Sequence, residues 1–78
     1  MTPAQYVESM VSFPYVQAEL LDTFPGGFTY VTVYDGNRVV WSVTEDDGEW
    51  TERLQGDDEP LATAPSLEEL SRSILELD

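Results

Sequence analysis

Between residues 28 and 54, aromatic and β-branched residues alternate with polar ones in a pattern that predicts three antiparallel β-strands. Residues 28–34 and 39–44 have the composition of a pleated, half-buried surface. The intervening segments Asp35-Gly36-Asn37 and Asp46-Asp47-Gly48 supply residues that tolerate positive φ, as tight hairpin turns require. Strands are therefore predicted at 28–34, at 39–44, and from the second turn to Leu54.

Two-residue hairpin loops preserve the alternation of side chains between strands, so one face of this sheet is predicted to be strongly aromatic. The opposite face mixes valine with small polar residues, which is typical of a partly solvated surface. Glu52 has the same side-chain parity as the aromatic face, so we expect that it lies at the sheet edge, that it is paired with an arginine, or that the strand register differs from the predicted one. The predicted aromatic face comprises Phe28, Tyr30, Thr32, Tyr34, Val39, Trp41, Val43, Trp50 and Leu54.

Segment 15–24 also alternates apolar and polar residues, which predicts a further strand paired with 28–34. A three-residue loop, Pro25-Gly26-Gly27, would connect the two strands. The sequence AELLD within this segment is equally typical of a helix, so both interpretations remain open. In the strand interpretation, four side chains join the aromatic face: Val16, Ala18, Leu20 and Phe24.

A helix is predicted at each end of the chain. Thr2 and Gln5 have the spacing of a capping box around Pro3, and Pro14 biases the preceding residue away from helix, so the first helix should reach about Ser12. Its apolar stripe is Tyr6, Val7, Met10 and Val11. Ser66 begins a second capping box, completed by Glu69, and a helix to about Leu77. Its stripe is Leu67, Leu70, Ile74, Leu75 and Leu77.

The connection before the last helix, residues 55–65, is polar and contains two prolines, so it is predicted to be an exposed loop anchored by Leu61. The predicted fold is a single α+β domain over residues 1–78. It consists of a helix, a three- or four-stranded antiparallel meander and a C-terminal helix, with both helices packed on the aromatic face.

The residue types present exclude most catalytic chemistry. The chain has neither cysteine nor histidine, and therefore lacks the usual zinc ligands, the catalytic thiolate and the Ser-His-Asp triad. A chain of 78 residues also buries only a small core. We expect a protein that is not an enzyme, with no catalytic, cofactor-binding or metal-binding residues. No apolar run long enough to span a membrane and no secretory signal is visible, which predicts a soluble, cytoplasmic protein.

The net charge is −13, from sixteen acidic residues and three arginines, with no lysine. Such a chain is repelled by nucleic acid and by anionic membranes, so its expected partner is a basic protein surface. The charge is −3 over residues 1–44 and −10 over residues 45–78. The candidate partner-binding residues are Glu45, Asp46, Asp47, Glu49, Trp50, Asp57, Asp58 and Glu59.

Two functions are compatible with this charge. The first is a small acidic binding or regulatory domain that recognises a basic protein, in a composition also typical of halophilic organisms with a salt-rich cytoplasm. The alternative is a nucleic-acid-mimicking inhibitor, of the kind phages and mobile elements direct against DNA- or RNA-binding proteins. Thirteen charges match about 22 Å of B-DNA, a suitable length for a small domain. The free edges of the sheet also leave a homodimer by strand addition open.

Overall fold

A computed structural model describes residues 1–76, which form two helices and one five-stranded antiparallel sheet. The predicted α+β fold is confirmed, with five strands rather than three or four. The sheet is a simple meander in the order β1-β2-β3-β4-β5. The elements are α1 (Pro3–Ser9), β1 (Gln17–Phe24), β2 (Gly27–Tyr34), β3 (Asn37–Asp46), β4 (Glu49–Leu54), β5 (Pro60–Ala64) and α2 (Leu67–Leu75).

Two-residue turns connect the three central strands, as predicted. Asp35 and Gly36 join β2 to β3 with φ values of 52° and 81°, and Asp47 and Gly48 join β3 to β4 with 56° and 82°. Positive φ at both central residues is the type I′ geometry, whose twist matches that of the flanking strands. The predicted division of β2, β3 and β4 into two faces therefore holds.

Segment 15–24 contains a strand and no helix, but the prediction of its inward-facing side chains is half wrong. Two of the four pack against the core: Ala18 and Leu20. The loop to β2 has two residues rather than three, and a bulge at Leu21 shifts the register, so Phe24 pairs with Gly27 on the opposite face. Val16 precedes the strand and is 72% exposed. A bulge inserts one unpaired residue and thereby reverses the side-chain parity beyond it.

The predicted loop at 55–65 is wrong in its second half, where β5 pairs with β4 and Trp50 lies opposite Ala64. Alanine and proline are depleted in strands, so the segment PLATA carries only a weak strand signal. Ala64 is buried and Ala62 packs against the core, which explains why small residues occupy these positions. A bulge between Glu52 and Arg53 leaves Leu61 without a pairing partner.

Both helices begin at the predicted caps. Thr2 Oγ1 accepts from the Gln5 backbone N–H at 3.2 Å, and Gln5 Oε1 accepts from the Thr2 backbone N–H at 2.9 Å. The first helix, α1, ends at Ser9 rather than near Ser12 as predicted. Val11 is therefore exposed and does not belong to the apolar stripe of α1. Ser66 Oγ accepts from the Glu69 backbone N–H at 3.2 Å. Two residues of the predicted C-terminal segment lie outside the described residues: Leu77 and Asp78.

The core lies between the aromatic face of the sheet and the two helices, as predicted. Tyr34 and Leu54, at strand ends, were predicted on this face but remain exposed. Within residues 1–76, neither helix has the length and apolar character needed to cross a membrane. The buried apolar cluster consists of Tyr6, Val7, Met10, Phe28, Tyr30, Val43, Ala64, Leu67, Leu70 and Ile74.

The sheet has two edge strands, β1 and β5. The bulge at Leu21 interrupts β1, while β5 has five residues, begins at Pro60 and is followed by Pro65. Bulges, short strands and prolines are features that limit pairing at a sheet edge. The homodimer through strand addition stays a prediction.

Candidate functional site

The acidic residues predicted to bind a partner form two groups rather than one. The turn cluster surrounds the β3–β4 hairpin and consists of Glu45, Asp46, Asp47 and Glu49. The loop cluster lies between β4 and β5 and consists of Asp57, Asp58 and Glu59. All seven are exposed. Because β4 separates the clusters, they lie at opposite ends of a six-residue strand, about 17 Å apart.

The negative charge is directed outward and is largely without counter-ions in the chain. Of the fifteen acidic residues in the described region, fourteen are exposed and only Glu52 is buried. Within residues 1–76, one ion pair forms, between the N-terminal ammonium and Glu68, and its hydrogen bond holds the pKa of Glu68 below its ordinary value. Arg53 instead donates to Thr44 Oγ1 and to the backbone carbonyl of Asp58, each at 3.4 Å.

Trp50 follows the turn cluster but is mainly a structural residue. Its ring centroid lies 6.5 Å from that of Phe28, and the side chain is half-buried against the core. Trp50 pairs with Glu45 across β3 and β4, at the end of the sheet that carries the turn cluster. A role for Trp50 as a partner anchor stays a prediction.

The other tryptophan, Trp41, contributes to a groove that the sequence did not indicate. Trp41 belongs to the predicted aromatic face but is only half-buried, and its Nε1 donates to Thr32 Oγ1 at 3.0 Å. Beside it, Leu54 and Leu61 are 40% and 43% exposed. The Trp41 groove has a volume of about 270 Å³ and is lined by Trp41, Leu54, Asp57, Glu59, Pro60 and Leu61.

Glu52 is 1% exposed and lies inside the core, where two tyrosine hydroxyls donate hydrogen bonds to its carboxylate. Its Oε1 accepts from the Tyr6 hydroxyl at 2.8 Å and from the Tyr30 hydroxyl at 2.7 Å. The register was predicted correctly, and Glu52 is neither at a sheet edge nor paired with an arginine, because its hydrogen-bond partners are tyrosines and the adjacent Arg53 is directed to Thr44 and Asp58. A buried tyrosine hydroxyl requires a hydrogen-bond partner, and these two from α1 and β2 converge on one carboxylate.

Burial raises the pKa of Glu52, and the hydrogen bonds from Tyr30 and Tyr6 offset only part of this increase, so the pKa stays above its ordinary value. Burial, and then the nearby Glu52 carboxylate, raise the pKa of both Tyr6 and Tyr30, so the two hydroxyls remain protonated donors. With 1% of its surface exposed, Glu52 has no room to contact a substrate. The network therefore serves the fold.

A pH dependence of stability follows from the raised pKa of Glu52. A carboxyl whose folded-state pKa exceeds its unfolded value, about 4.3, binds its proton more tightly when folded, so stability falls as pH rises from about 4.3 through the folded pKa. We expect urea unfolding to give a larger free energy of unfolding at pH 5 than at pH 7.5. Glu52→Gln, which keeps an acceptor oxygen for the tyrosines, should reduce this difference.

Glu49→Gln is the matched control, because it removes the same charge from β4 at an exposed position without contact to the tyrosines. The change in pH dependence that this control causes measures the effect of reducing the general repulsion among the carboxylates. Equal pH dependence in the two variants would show that Glu52 does not titrate differently in the folded and unfolded states.

No metal site emerges from the acidic residues. In the part of the chain that the structure describes, no three Asp or Glu side chains are arranged to hold a metal ion. The arrangement instead offers separated carboxylates at two ends of the sheet and one apolar groove with an acidic rim.

A scan against protein-family models, a search of curated proteins and a search of solved structures each found no match to this chain.

Proposed function

We propose that this protein is a non-enzymatic binding domain that recognises a basic surface of another protein. The observation that carries the proposal is the exposure of fourteen of the fifteen described carboxylates, with one ion pair among residues 1–76. Unpaired carboxylates attract cationic side chains over distances of about a Debye length, 8 Å at physiological ionic strength. They also accelerate encounter with a basic partner.

The shape of the surface supports binding rather than catalysis. The Trp41 groove and a second concavity between β5 and α2 each have a volume of about 270 Å³. Sites for small molecules usually occupy about 300 to 1,000 Å³. General acid–base catalysis needs a carboxyl that combines a shifted pKa with access to substrate. Glu52 has the raised pKa but is almost fully enclosed.

The distribution of charge favours a protein partner over mimicry of a duplex. A decoy for B-DNA requires a row of negative charges at regular intervals, about one per 1.7 Å of axis. Here the turn cluster and the loop cluster are separated by the length of β4, and Arg53 places a positive charge on that strand. Two acidic groups about 17 Å apart suit a partner with separated basic residues.

The test begins with capture of binding proteins from a cytoplasmic extract of the source organism, followed by isothermal titration of the purified partner with two variants of equal charge. One variant neutralises four residues within the clusters: Asp46→Asn, Asp47→Asn, Asp57→Asn and Asp58→Asn. The control neutralises four exposed acids elsewhere: Glu8→Gln, Glu19→Gln, Glu69→Gln and Glu76→Gln. The first should weaken binding about tenfold or more, the control less than about threefold, and affinity should fall as salt rises.

Three results would contradict the proposal. Equal weakening by the two variants would indicate attraction without a defined surface. Displacement of the protein from its partner by duplex DNA would favour the nucleic-acid mimic instead. If the protein folded only in molar salt and bound no basic partner stoichiometrically, its negative charge would be explained by adaptation to a halophilic cytoplasm.

A further inference from the structure

We propose that the Trp41 groove receives an arginine side chain of the basic partner. This inference rests on the proposed function and names the part of the surface that would give it specificity. The groove combines an indole, two leucines and a proline with the carboxylates of Asp57 and Glu59. Neither acidic cluster alone provides that combination.

The groove matches a side chain that is apolar along its stem and cationic at its tip. Leu54 and Leu61 are both more than one-third exposed, so they offer apolar surface that the rest of the described chain does not cover. Asp57 and Glu59 line the same space and supply two negative charges. Long basic side chains bury their methylene stems on apolar surface while the charged head remains near polar groups.

The groove is held in shape by the fold. The hydrogen bond from Trp41 Nε1 to the fully buried Thr32 fixes the orientation of the indole. Leu61 occupies the irregular position where β5 shifts its register against β4, and a bulge redirects a side chain away from the regular alternation. A site already formed before binding avoids the cost of ordering side chains during association.

Size and charge favour arginine over lysine or a small molecule. A volume of about 270 Å³ is below the usual range for small-molecule sites. The guanidinium is planar, more weakly hydrated than an ammonium, and able both to stack on an indole and to pair with a carboxylate. The neighbouring Arg53 does not occupy this place, because its side chain is directed to Thr44 and to the Asp58 carbonyl.

The test is an NMR titration of ¹⁵N-labelled protein with capped tri-arginine and, separately, capped tri-lysine. The backbone of a tripeptide spans at most about 11 Å, and the two acidic clusters lie about 17 Å apart, so the response near each cluster is measured through its own tryptophan. We expect tri-arginine to shift the indole N–H resonance of Trp41 and to leave that of Trp50 nearly unchanged. Tri-arginine should bind about three- to tenfold more tightly than tri-lysine.

Two variants of equal charge locate the binding. Asp57→Asn with Glu59→Gln should weaken tri-arginine binding about tenfold, and Asp46→Asn with Glu49→Gln less than about threefold. The groove proposal is overturned if the variants weaken binding equally, if Trp50 responds as strongly as Trp41, or if tri-lysine binds as well as tri-arginine. It is also overturned if tri-arginine does not bind. The wider proposal of a basic partner is judged separately, by titration of the captured protein.

Discussion

Replacing Tyr6 and Tyr30 together with phenylalanine is expected to lower the free energy of unfolding by about 3 to 5 kcal/mol at neutral pH. Both hydroxyls donate to Oε1 of Glu52, and the double variant leaves that carboxyl in the core without either donor. A domain of 78 residues has a total stability of about 4 to 12 kcal/mol. Urea denaturation followed by circular dichroism measures the change, and the variant should be close to unfolding.

The matched control is Tyr34→Phe, which removes a hydroxyl from an exposed tyrosine. Surface changes of this kind usually alter stability by less than about 0.5 kcal/mol. Adding Glu52→Leu to the double variant should restore part of the loss, because no polar group is then buried without a partner. A double variant within about 1 kcal/mol of the parent would contradict the role assigned to the three-residue network.

Gly27→Ala is expected to destabilise the protein by about 3 kcal/mol, because the backbone at the start of β2 leaves no space for a methyl group. A Cβ at this position would lie 2.3 Å from the backbone carbonyl oxygen of Val43 and 2.9 Å from the ring of Phe24. The carbonyl belongs to the neighbouring strand and cannot move without disturbing the pairing of β2 with β3. Thermal unfolding should show a clear decrease in Tm.

Gly36→Ala separates this steric effect from the general cost of removing a glycine. Gly36 has a φ of 81°, but no atom lies within 4 Å of the place that an alanine methyl group would take. Its replacement should therefore cost only the strain of positive φ, about 1 to 2 kcal/mol. If Gly36→Ala destabilised the protein as much as Gly27→Ala, the close approach at Gly27 would not be the cause.

The predictable part of the fold is the part that local chemistry determines. Asp-Gly pairs at 35–36 and 47–48 specify two-residue turns, and these turns fix which side chains of β2, β3 and β4 share a face. The bulges at Leu21 and Leu61 depend on how neighbouring strands fit together. No residue type indicates them, so the placement of Phe24 was predicted incorrectly. The strand β5 was missed for a different reason, because the segment PLATA carries only a weak strand signal.

The candidate site was predictable to a similar extent. Acidic residues were identified from composition, and successive strand reversals separate them into two ends of the sheet. The sequence pattern also predicted that Glu52 faces the core side of the sheet. Its hydrogen bond with Tyr6 could not be predicted, because the two residues are 46 positions apart and meet only when α1 packs on the sheet. Leu61 lines the Trp41 groove from the bulged position of β5, and the sequence marks neither the strand nor the bulge, so the apolar and acidic residues of the groove were not grouped from the sequence.

The uninterrupted meander has a consequence for how the chain folds. Every strand pairs only with its neighbours in sequence, so the sheet can grow hairpin by hairpin while each loop to be closed remains short. The helices come from opposite ends of the chain and meet through Ser9 and Ser71, whose hydroxyl oxygens are 2.9 Å apart. The sheet can therefore assemble from local contacts, whereas the core is covered on its helical side only after α2 has been synthesised.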